Sequence, residues 1–221
     1  MKKISIFSII FILGMAPLAW ALPFEGDTAA STEGLGYFSG VLTYSASDTG
    51  LAATLTIELE NTSPEANGGF LTGFLFNNPD TITGVTFSST GSDLVQITEA
   101  DKLKGSPFGQ FDFGAAIGGN FLGGGDPNGG IGVGDTETFT FKLTGTGLNS
   151  LVEESFVSAL SDSNDPQWFV ARFKGFLYDS SDKVVPGDVP VPEPSTMLLL
   201  GVGLIGLAGF GRKRILKKNK S

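Results

Sequence analysis

The chain has 221 residues, 41% hydrophobic and 17% charged, a formal net charge of −9, and neither Cys nor His. That length holds one medium domain plus targeting segments, and such a domain buries a core without disulfide staples. The absent residue types exclude thiol catalysis, thiolate metal sites and the commonest general base and metal ligand.

The first 21 residues read as a secretory signal peptide. Lys2 and Lys3 form its charged start, and Ile4 to Met15 form a short apolar helix. Pro17 ends the helical tendency, and Ala19-Trp20-Ala21 offers small residues at both recognition positions for cleavage, so that Leu22 begins the mature chain.

All 23 acidic residues lie between Glu25 and Glu193. Only six basic residues share that stretch (Lys102, Lys104, Lys142, Arg172, Lys174 and Lys183), which leaves it a net charge of −17. Such a surface repels phosphate backbones and anionic lipid, so the sequence excludes nucleic acid as a partner.

Residues 22–188 are the expected passenger domain, and from about Gly34 to Val184 they carry the strand period of two. In Thr54–Glu60, Leu55, Ile57 and Leu59 share one face, and in Thr138–Thr144 Phe139, Phe141 and Leu143 do. Phe169, Ala171 and Phe173 alternate with Val170, Arg172 and Lys174. Further strands are expected at Gly36–Ser45, Phe70–Phe76, Ile82–Ser88, Leu94–Ile97, Phe108–Phe113 and Phe156–Leu160, with a short turn of helix near Glu99–Lys104. Roughly nine short strands joined by Gly, Asn and Pro turns predict an all-β domain, a β-sandwich or jelly roll. The 19 Phe residues read as its core. A polysaccharide-binding aromatic face would draw instead on Trp168, Tyr37, Tyr44 and Tyr178.

Candidate sites are few. In the glycine-rich run Gly123–Asp135, Asp126 and Asn128 have the spacing of a calcium loop, and Glu137 falls twelfth from Asp126. Gly130 and Ile131 depart from that pattern, and a glycine-rich connection is the competing reading. Asp162–Asp165 has the same ambiguity. The pairs Glu58/Glu60 and Glu153/Glu154 are the carboxylates a glycoside hydrolase would need. Glu58 and Glu60 fall on the polar face of one strand, and Glu153 and Glu154 would point apart in a strand. Arg172 and Lys174 share a face and are expected to pair with acids on a neighbouring strand.

The tail has three parts. Residues 189–196 hold Pro190, Pro192 and Pro194, which keep the backbone extended and exposed. Residues 197–211 are uncharged and rich in Leu and Gly, a short single transmembrane helix. Residues 212–221 hold Arg212, Lys213 and Arg214 and no acid, which places them in the cytoplasm and the domain outside the inner membrane.

Pro192-Glu193-Pro194, the Leu/Gly-rich helix and Arg212-Lys213-Arg214, in that order, resemble the PEP-CTERM sorting domain. The resemblance implies processing by an exosortase, a membrane cysteine protease acting near Pro-Glu-Pro, in an exopolysaccharide-producing Gram-negative bacterium that often forms biofilm. The body also looks like a recurrent PEP-CTERM passenger, in Asn67–Pro79 and Phe169–Gly175, a type with no assigned chemistry. The expectation is an exported, non-enzymatic protein of the cell surface or extracellular matrix without a cofactor. Its partners are the exosortase, the inner membrane during sorting, and extracellular polysaccharide. The competing readings are a carbohydrate-binding module stabilised by calcium and a carboxylate-based hydrolase.

Overall fold

The computed structural model describes residues 21–79, 81–177 and 180–187, with residues 100 and 101 by backbone alone. The chain divides into two units, 1–187 and 188–221. The expected signal helix and transmembrane helix lie outside the described residues, and no helix among those described is long and apolar enough to cross a membrane.

The described chain is built of strands in two antiparallel five-stranded sheets. The first sheet has the order β1-β2-β3-β8-β5, with β1 at Ala21–Gly26, β2 at Phe38–Ala46, β3 at Ala52–Asn61, β8 at Thr136–Gly145 and β5 at Ile82–Ser89. The second has the order β10-β9-β4-β7-β6, with β10 at Ser181–Val184, β9 at Phe169–Phe176, β4 at Gly68–Phe76, β7 at Gln110–Ile117 and β6 at Leu94–Lys104.

Aromatic rings join the two inner faces. Phe139 and Phe141 of β8 meet Phe74 and Phe76 of β4, with centroids 4.8 Å apart for Phe74–Phe139 and 5.1 Å for Phe76–Phe141. Phe24 of β1 and Phe38 of β2 meet Phe169 of β9 at 5.1 and 5.5 Å. Each fully buried ring contributes roughly 1.5–3 kcal/mol by leaving water, so this aromatic layer is the main cohesive element between the sheets.

The sheets differ in their outer faces. Strands β3 and β8 alternate buried and solvent-facing residues. Strands β4 and β7 are buried almost throughout, because a second apolar cluster lies behind them. Leu75, Val170, Ile97, Phe108, Phe111, Phe121 and Val185 form it. Strands covered on both sides lose the polar alternation of half-exposed ones. Gly114 sits at a tight contact within β7, where an added Cβ would run into the Phe74 carbonyl.

Three local expectations are corrected. Phe156–Leu160 is not a strand; α1 spans Glu153–Val157. Ser155 Oγ accepts the Val152 N–H at 3.1 Å, Glu153 and Glu154 favour the positive N-terminal end, and Glu153 and Phe156, three residues apart, both turn inward. Residues 99–104 form no helical turn. They belong to β6, whose pairing with β7 is irregular between Thr98 and Leu103. The Glu99–Lys102 ion pair at 3.4 Å spans that bulge, so its i,i+3 spacing imitates a helix. Two strands escaped the sequence reading, β1 and β10, and bring the number among the described residues to ten.

Candidate functional site

The end of the folded unit is fastened to its beginning. Val185 N–H donates to Ala30 O and Gly187 N–H to Glu25 O, both at 2.9 Å. Between them and the strand they leave, Asp182 of β10 is wholly buried. Its carboxylate accepts bonds from the amides of Thr32, Glu33, Leu35 and Gly36 at 3.1, 3.0, 2.8 and 2.9 Å, and from the hydroxyls of Ser31 and Thr32. Burial alone would push the Asp182 carboxyl up, but these donors outweigh it and hold it below its ordinary value of 3.8. No sequence motif marked Asp182; a lone acid in a short polar strand carries no periodic signal.

The proposed calcium residues are distributed between two tasks. Asp126 Oδ1 caps a short 3-10 turn at 127–129, accepting the Asn128 amide at 3.1 Å and its Nδ2 at 2.7 Å. Glu137 of β8 is buried, and its Oε1 accepts the amides of Gly91 and Ser92 at 3.0 and 2.8 Å. Asn128 and Glu137 line one cleft of about 430 Å³ with Asp93 and Asp135, while Asp126 is not among its lining residues. Among the described residues no group of three or more His, Cys, Asp or Glu is placed to hold a metal ion. Asp162 and Asp165 are exposed on a loop that Ser161 closes, its Oγ accepting the Gln167 amide at 2.9 Å.

The remaining carboxylates do not converge. Glu58 and Glu60 lie on the outward face of β3. Glu153 is buried and accepts the Tyr44 amide at 2.8 Å, and Glu154 is exposed. The expected ion pairs of Arg172 and Lys174 are corrected as well. Arg172 Nη1 donates to Phe121 O, and Lys174 Nζ donates to Gly123 O at 3.2 Å. The glycine-rich loop folds over the outside of the second sheet and offers carbonyls before any acid on a neighbouring strand. Burial lowers the Arg172 guanidinium from its ordinary value, and burial followed by the Arg172 charge lowers Lys183.

The aromatic candidates for sugar binding are mostly consumed by the core. Trp168 and Tyr44 are buried, Tyr44 donating to Leu148 O at 2.7 Å. Tyr37 is half-buried, and Tyr178 lies outside the described residues.

Ala21 stands at the exposed start of β1, and Ala19 lies outside the described residues. The sorting residues Pro192, Glu193, Pro194, Arg212, Lys213 and Arg214 also lie outside them. Residues 190–214 match the family model described as the PEP-CTERM protein-sorting motif. The chain carries a PEP-CTERM sorting motif. The motif implies export, membrane-associated sorting and an exosortase as the processing partner. No curated protein matches the chain.

Proposed function

We propose that this is an exported cell-surface or extracellular-matrix protein with a structural or interaction role and no enzymatic activity. An exosortase of an exopolysaccharide-producing Gram-negative bacterium holds it briefly at the inner membrane and cleaves it near Pro192–Ser195. The observation that carries the reading is the sorting motif at residues 190–214. Support for a non-catalytic passenger comes from the work its buried acids do. Asp182, Glu137 and Glu153 each hold backbone amides of a neighbouring segment, which is the task of structural carboxylates. A carbohydrate-binding role is the second reading, favoured by the rows of Thr and Ser on the outward face of the first sheet, beside which Glu58 and Glu60 lie.

Replacing Pro192, Glu193 and Pro194 together by Ala tests the sorting step in the native host. The variant should keep its basic tail and accumulate in the membrane fraction, while the wild type loses that tail. Identical tail loss from both chains would refute processing at this motif.

A further inference from the structure

The registers of the first sheet assemble a lattice of hydroxyls on its outward face. One row across four strands is Thr43–Thr56–Thr140–Ser88. The next is Ser45–Thr54–Lys142–Thr86. These eight positions hold seven hydroxyl side chains and one lysine, in a stretch of chain whose net charge is −17. Neighbours are about 4.8 Å apart across the strands and about 6.7 Å apart along them. Among the described residues, no protein group bonds the hydroxyls of Thr43, Thr54, Thr56, Thr86 or Thr140. A shallow trough of about 810 Å³ runs over the second row, whose four side chains share its lining with Ala46, Ala52, Ala53, Val85 and Leu143.

The chemistry of this face selects its occupant. A polyanion is repelled by the domain as a whole. A protein partner needs buried apolar and aromatic anchors, and neither row offers one. A cation finds seven neutral hydroxyls and an ammonium. What fits is a flat, uncharged polymer with hydroxyls at regular intervals. An extended glycan laid across the strands presents these at a spacing close to that between neighbouring strands. We propose that the outward Thr/Ser face of the first sheet is a docking surface for an uncharged polysaccharide chain lying across β2, β3, β8 and β5. The proposal rests on the reading of this domain as an extracellular interaction module. Each hydroxyl contact replaces one with water and adds little alone, so affinity comes from many contacts along one chain and rises with polymer length.

Affinity electrophoresis detects weak binding of this kind. The full chain, purified in mild detergent, is run in native gels cast with galactomannan, xyloglucan, hydroxyethyl cellulose or polygalacturonate. At least one neutral polymer should retard it, and polygalacturonate should not. Thr56→Val with Thr140→Val removes two central hydroxyls at constant shape and should cut the retardation at least threefold. Thr56→Ser with Thr140→Ser keeps the hydroxyls and should retain most of it; comparable melting of the two variants separates lost contacts from lost fold. No retardation by any neutral polymer, retardation by polygalacturonate alone, or undiminished retardation of the valine variant would overturn the proposal. Tail processing of the same variants in the host is scored separately. Normal processing with no glycan binding sinks this inference and leaves the sorting reading standing.

Discussion

Asp182 is the residue on which both ends of the described fold depend. Its buried carboxylate gathers four backbone amides and two hydroxyls from residues 31–36, a segment with no strand ladder of its own to satisfy them. Asp182→Ala leaves those donors buried without an acceptor, and should cost at least ~3 kcal/mol, read as a drop in the denaturation midpoint. Asp182→Asn retains one acceptor and sets an NH₂ against donors, so it should recover little of that loss. The pH dependence has a defined sign. The folded carboxyl titrates below its ordinary value of 3.8, so its contribution is present above that value and is lost as pH falls through the folded one. Wild-type stability should therefore fall steeply below about pH 4, and Asp182→Asn should flatten that limb; a variant as acid-sensitive as the wild type would contradict this role. None of this was legible in the sequence. The core Phe residues were, because alternation reports which face a residue takes, whereas a hydrogen-bonding hub is made by segments some 150 positions apart.

At the scale of elements, legibility followed exposure. Strands β3 and β8 have one wet face, so their registers were plain in the alternation of Leu55, Ile57 and Leu59 and of Phe139 and Phe141. Strand β1 was missed because its alternating Leu22 and Phe24 adjoin the signal segment and are interrupted by Pro23. Both side chains are buried, and Phe24 packs on Phe38, Trp168 and Phe169. The predicted cleavage point, between Ala21 and Leu22, thus falls within β1, immediately before its first buried residue. Phe24→Ala should destabilise by about 3–5 kcal/mol, measured by chemical denaturation; a change below 1 kcal/mol would mean that β1 is not docked in solution. The candidate site was partly legible. Sequence spacing singled out Asn128 and Glu137, which do share a cleft, but it could not show that Glu137 clamps the connection between β5 and β6. Glu137→Ala should cost about 1–3 kcal/mol through the stranded amides of Gly91 and Ser92. That loss should be equal in calcium and in chelator at fixed ionic strength. A calcium-dependent loss would restore the metal reading.

On the scale of the whole molecule, charge and connectivity agree. The strongly acidic stretch between Glu25 and Glu193 is flanked by two ends that hold the remaining eight basic residues and no acid. Charge so divided suits a domain kept outside the membrane with both ends handled at it. The described fold begins at Ala21 and ends at Gly187, and hydrogen bonds of Gly187 and Val185 bring the last residues alongside the first. Only four residues separate Gly187 from Pro192, so the sorting motif follows closely on the fold in sequence. The intact mass of the protein recovered from outside the cell tests this account most directly. It should correspond to a chain that starts near Leu22 and ends between Pro192 and Ser195, and an external species that still carries Arg212–Ser221 would contradict it.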